Sequence, residues 1–81
     1  MYIAKGVLMR IIKAVVEVKG IRLDMEINTL SLQFEIVSSP ASVSDAFVTS
    51  AEAALAQRPD ILENAVDHAI YGDMVGPAVL D

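Results

Sequence analysis

His68 is the one side chain of this 81-residue sequence whose ordinary titration range falls near neutrality. Asn64 precedes it by one helical turn, Asp67 is its neighbour and Asp73 follows. A histidine among carboxylates suggests a general base or a metal ligand. The spacing argues against both. On a helix Asp67 points about 100° away from His68, and the chain has neither a second histidine nor any cysteine. Zinc is therefore short of nitrogen and sulfur ligands, and a Cys–His catalyst is excluded. Ser38, Ser39, Ser42, Ser44 and Ser50 are the remaining nucleophile candidates, but none stands in G-x-S-x-G or S-x-x-K. Clustered ahead of an apolar periodic segment, Ser38 to Ser44 read as turn and helix-cap residues. The four glycines are too dispersed for a phosphate loop. The expectation is a chain without catalytic, cofactor-binding or metal-binding residues, and not an enzyme.

Charge is distributed more tellingly. Residues 1–39 hold five Lys or Arg against four Asp or Glu, a net of +1. In residues 40–81 Arg58 alone faces seven acidic residues, a net of −6, which completes the overall −5. Asp60, Glu63 and Asp67 fall at i, i+3 and i+7, one acidic stripe on a helix. Such a face suits a partner protein with a basic surface, of the kind that otherwise holds nucleic acid. It serves equally as a solvated face that keeps the protein dispersed. Direct nucleic-acid binding is disfavoured, because phosphate contacts need clustered Lys and Arg. Beyond the acidic stripe, Met74, Val75, Val79 and Leu80 form an apolar tail around Gly76-Pro77. That tail is the second candidate for partner binding, by packing along a sheet edge or in a groove.

These residues need elements to position them. Ile21, Leu23, Met25 and Ile27 alternate with polar residues, as do Leu30, Leu32, Phe34 and Ile36, the period of strands with one buried face. A two-residue turn at Asn28-Thr29 pairs Ile27 with Leu30, Met25 with Leu32, Leu23 with Phe34 and Ile21 with Ile36, and sets Arg22 opposite Glu35. Thr29 is β-branched and ill suited to that turn, so a slightly longer loop is the alternative. Upstream, a turn at Lys19-Gly20 sets Val18 against Ile21, Val16 against Leu23, Ala14 against Met25 and Ile12 against Ile27. Its outer face brings Glu17 opposite Arg22 and Lys13 opposite Glu26. A helix competes for the first segment, with Gly6, Arg10, Lys13 and Glu17 on one side and Ile3, Val7, Ile11, Ala14 and Val18 on the other. The β-branched Val15, Val16 and Val18, and the charge match, favour the strand.

Downstream, Ser42-x-x-Asp45 resembles a capping box. Val43, Ala46, Phe47, Ala51, Ala54 and Leu55 then keep helical spacing to about Gln57. Pro59 suits the first turn of a second helix, whose stripe of Ile61, Leu62, Ala65, Val66, Ala69 and Ile70 stops at Gly72. The predicted fold is α+β: a three-stranded antiparallel β-meander over 9–38, two α-helices packed on one face over 42–72, and extended arms at 1–8 and 73–81. Met9 offers an internal start that would make the first arm optional. No leading basic cluster and clean apolar core mark a signal peptide, and charges interrupt the richest apolar run, so a cytoplasmic protein without a membrane span is expected.

At 54% apolar residues the chain exceeds the usual share, and without disulfides or a metal a domain this short needs unusually good packing or self-association. A homodimer or higher oligomer is expected, with Val7, Ile11 and Val15 as interface candidates. The function expected is a non-catalytic protein-interaction module, such as a stoichiometric inhibitor or adaptor of the phage or mobile-element type. The alternatives are a structural component that self-assembles through terminal arms, and a binder of a small ligand or nucleotide.

Overall fold

In the computed structural model, which describes residues 11–81, the chain first reverses at Lys19-Gly20. β1 (Ile11–Val18) and β2 (Ile21–Asn28) pair antiparallel, with Val18 opposite Ile21, Val16 opposite Leu23, Ala14 opposite Met25 and Ile12 opposite Ile27. That is the register expected from the sequence. Lys19 and Gly20 both take positive φ, 51° and 83°, as a type I′ turn requires to match the twist of its strands. Ile11–Val18 is a strand and not the competing helix, in keeping with its five β-branched residues. The arm at 1–8, the first two positions of the expected strand, and Val7 lie outside the described residues.

The second hairpin departs from expectation. β3 (Phe34–Ser38) pairs antiparallel with β2, but Ile27 faces Phe34 and Met25 faces Ile36. The pairing has slid by four residues. A four-residue loop replaces the two-residue turn: the Asn28 N–H donates to Gln33 O, and the Leu32 N–H donates back to Asn28 O, each at 2.8 Å. Asn28 Oδ1 accepts from the Leu30 and Ser31 N–H groups at 2.9 and 3.0 Å, fastening the loop from inside. Leu32 closes it at φ 63°, a left-handed conformation that a leucine adopts only at a cost. An even slip keeps every side chain on its expected face, so Phe34 and Ile36 still pack against the core. The partners change. Glu35 stands opposite Glu26 instead of Arg22. Between Met25 and Asp24 the register shifts again, so that Val37 bulges out of the ladder.

α1 (Asp45–Ala56) and α2 (Pro59–Tyr71) follow. Ser44, not Ser42, caps α1: its Oγ accepts from the Phe47 N–H at 3.1 Å. Ser42 is occupied in a turn that the Val43 N–H closes onto Pro40 O at 3.0 Å, so the capping box at Ser42 and Asp45 does not form. Gln57 caps the end of α1 and Pro59 opens α2. Gly72, at φ 60°, ends α2 and leads a single 3-10 turn, Gly72–Met74.

The tail then returns as β4 (Ala78–Leu80), parallel to β1, with Ala78 beside Val16 and Leu80 beside Val18. The result is an α+β fold with a four-stranded sheet in the order β3-β2-β1-β4. The helices cover one face. Val16, Leu23, Met25, Ile27 and Leu55 are fully enclosed between the layers, with Ala65 of α2 and Ala78 of β4 among them. Every fully buried side chain among the described residues is apolar. No helix among them is long and apolar enough to cross a membrane.

Candidate functional site

α2 carries the residues singled out by the sequence, and its turns divide them between two sides. On the β4 side, the Asn64 amide donates to Gly76 O at 3.1 Å, and one turn later His68 Nδ1 hydrogen-bonds the carbonyl of Val75. A carbonyl oxygen only accepts, so Nδ1 carries the proton. The two side chains hold consecutive carbonyls ahead of Pro77 and aim β4 along β1. The Lys19 N–H closes the far end onto Leu80 O at 2.8 Å. His68 is thus a strand-positioning residue; the Asp73 side chain falls outside what is described.

The acidic stripe is split. Asp60 is taken by Arg58, whose Nε and Nη2 donate to its two carboxylate oxygens at 3.1 and 3.0 Å. This charge-assisted fork holds the Asp60 carboxyl below its ordinary range and raises the Arg58 guanidinium. Both groups are exposed, and solvent screens the pair. Asp60 also borders the depression on the β4 side, with Ile61, Pro77 and Val79. Glu63 and Asp67 line the other side of the helix, facing the β2–β3 loop.

There the surface is concave. Thr29, Leu30, Leu32, Glu63, Val66 and Asp67 enclose an open depression of about 260 Å³. Leu32 is shared with a larger one of about 550 Å³, lined by Phe34, Ala56, Pro59 and Leu62. Apolar side chains continue beyond it. Ala69, Ile70 and Tyr71 are all exposed, so the last turn of α2 overhangs the core, and the buried stripe expected through Ile70 ends at Val66. Leu30 is 67% exposed, Ile70 55%, Tyr71 57% and Met74 87%. The sequence placed Leu30 in a strand and Ile70 in the core; the α2 overhang and the long loop put both at the surface. Met74, in the 3-10 turn that follows α2, is the most exposed apolar member of the tail. Val75 is half-buried, Leu80 is spent in the chain's own core, and Val79 faces out from the opposite side of the sheet.

That opposite face holds the oligomer-interface candidates. Ile11 is exposed and Val15 half-buried; the exposed Val37 stands beside Val15, and the exposed Val79 is paired with Glu17 towards the other end of β1. They are interspersed with Lys13, Glu17, Arg22, Asp24, Glu26 and Glu35. Lys13 lies opposite Glu26 and Glu17 opposite Arg22, as expected. Val15, Val37, Lys13 and Asp24 line a depression of about 390 Å³.

The free edges are guarded. On β3 the Ile36 N–H is taken by Glu52 Oε2 of α1 at 3.4 Å, and Val37 is bulged. On the other side β4 is three residues long and follows Pro77. Short, bulged or side-chain-covered edges resist strand addition. Comparison with protein-family models, curated proteins and solved structures finds no match for this chain.

Proposed function

We propose that this protein is a non-catalytic, cytoplasmic protein-interaction module that works as a small homo-oligomer and binds another protein, in the manner of a stoichiometric inhibitor or adaptor. The observation that carries the reading is the apolar surface left exposed beside α2: Leu30, Ile70, Tyr71 and Met74 remain open although the rest of the apolar face is packed. Large apolar side chains left at the surface and bordered by charged residues are how interaction sites present themselves. The guarded edges favour side-chain recognition over strand addition, and the engagement of β4 within its own sheet favours the interaction module over a component joined by terminal arms. Self-association is assigned to the outer sheet face, where Ile11, Val15, Val37 and Val79 sit among charges of both signs.

Light scattering over a hundredfold dilution tests the first half of the proposal. A small closed oligomer is expected, and Val37→Lys is expected to dissociate it. A monomer at every concentration would overturn the oligomer. Affinity capture from the native host, read by mass spectrometry, tests the second half. One dominant protein partner in fixed proportion is expected, and stabilisation by a metabolite with no protein partner would sink it.

A further inference from the structure

The carboxylates beside the exposed apolar strip work against their own helix. Glu63 and Asp67 are like charges at i and i+4, a spacing that destabilises a helix. Asp67 lies one turn from the C-terminus of α2, where the helix dipole disfavours an anion and aspartate is a poor helix former. Arg58, the one cation of residues 40–81, is engaged with Asp60. Local rules broken in this way are characteristic of functional sites. A cation brought from outside offsets the electrostatic penalties, the repulsion between the two carboxylates and the unfavourable dipole. The apolar side chains that follow ask for burial rather than charge: Ile70 on the same line of the helix, and Met74 in the 3-10 turn that begins where the helix stops at Gly72.

We propose that the strip from Glu63 to Met74, with Leu30 on its flank, seats a short basic–apolar segment of a partner protein: one carrying Lys or Arg against Glu63 and Asp67 and an apolar anchor against Ile70 and Met74. Ile70 stands seven positions after Glu63, so cation and anchor are about 10 Å apart along the segment. The depression beside Leu32 and Val66 receives side chains on its flank. Positive charge steers the approach and sets the direction of the segment, and the anchor supplies the larger part of the affinity. This inference rests on the interaction-module reading and names the chemistry of the partner at that module's surface.

The probe is a 14-residue amphipathic peptide of leucine and lysine, titrated into ¹⁵N-labelled protein beside two controls, one with glutamate for lysine and one with serine for leucine. Amide shifts are expected to group at residues 29–32 and 63–74, for the first peptide only. Glu63→Gln with Asp67→Asn is expected to weaken binding about fivefold, and Ile70→Ser with Met74→Ser about tenfold. The same carboxylate variant, free of peptide, is expected to melt about 2 °C higher. Shifts that gather on the outer sheet face, or a serine control that binds equally well, would overturn the proposal. So would a lower melting point for the carboxylate variant. If that variant instead dissolves the oligomer seen by light scattering, the occupant is a second copy and the basic partner falls. A peptide that does not bind, with a host partner captured equally by wild type and by a variant that combines all four substitutions, sinks this site and leaves the module reading standing. If neither peptide nor host partner is held, both fall.

Discussion

At the scale of single residues, the chain's titratable groups divide by the company they keep. Asp60 has two donors from Arg58, whereas Glu63 and Asp67, two turns of the same helix, have no ion-pair partner among the described residues. The fork favours the ionised form of Asp60, so its folded-state titration lies below that of an unfolded aspartate. The stability it contributes is present above the unfolded value and is lost as pH falls through the folded one. Carboxyl NMR titration should therefore place Asp60 below a free aspartate, and Arg58→Gln should move it upward. An unchanged midpoint in that variant would refute the assignment. Asn28 and Leu32 show the opposite case, residues whose work is conformational. Asn28 binds two backbone N–H groups of its loop, and Leu32 accepts a left-handed backbone in return for packing its side chain on the core. Neither role follows from residue type alone, because asparagine is common in turns and leucine is rare at positive φ.

At the scale of elements, the two hairpins differ in how their registers are set. A two-residue turn at Lys19-Gly20 leaves β1 and β2 no freedom, and local chemistry decides the pairing. Between β2 and β3 the apolar alternation is satisfied by any even slip, so loop geometry and packing decide it. Glu35 reports which register holds. With Glu35 opposite Glu26 and Lys13 beyond, Glu35→Lys relieves a like-charge contact and should stabilise the protein by about 0.5 kcal/mol in urea denaturation. Had Glu35 faced Arg22, the same change would destabilise it; the sign alone discriminates. β4 depends on another element altogether. Asn64→Ala with His68→Ala removes both holds on residues 75–76, at a cost of about 1–2 kcal/mol. The faster hydrogen exchange should be local, at the Lys19 amide that β4 protects. Uniform acceleration across β1 and β2 would mean that the clamp supports the whole fold and not the strand.

At the scale of the whole molecule, the two ends of the described chain meet in the sheet, β1 against β4, and the interior closes only when the tail has returned. Deleting residues 78–81 removes Ala78 and Leu80 from the core and bares the edge of β1. A loss of about 3–5 kcal/mol is expected by analogy with large truncations in cores, read from the urea midpoint by far-UV circular dichroism. Retention of wild-type stability would show that the tail is peripheral. The charge asymmetry between the halves becomes spatial in the fold: mixed charges on the outer sheet face, and on α2 two carboxylates that have no ion-pair partner among the described residues, beside exposed apolar side chains. The alternation of side chains, the first turn, the start of α2 at Pro59 and its stop at Gly72 were determined by the sequence, because each depends on neighbours within a few residues. Only the tertiary structure decided the β2–β3 register, the pairing of β4 with β1, and the emergence of Leu30 and Ile70 at the surface. Those outcomes turn on contacts between segments far apart in the chain, and a binary apolar pattern is silent about which apolar residue the finished core has room to enclose.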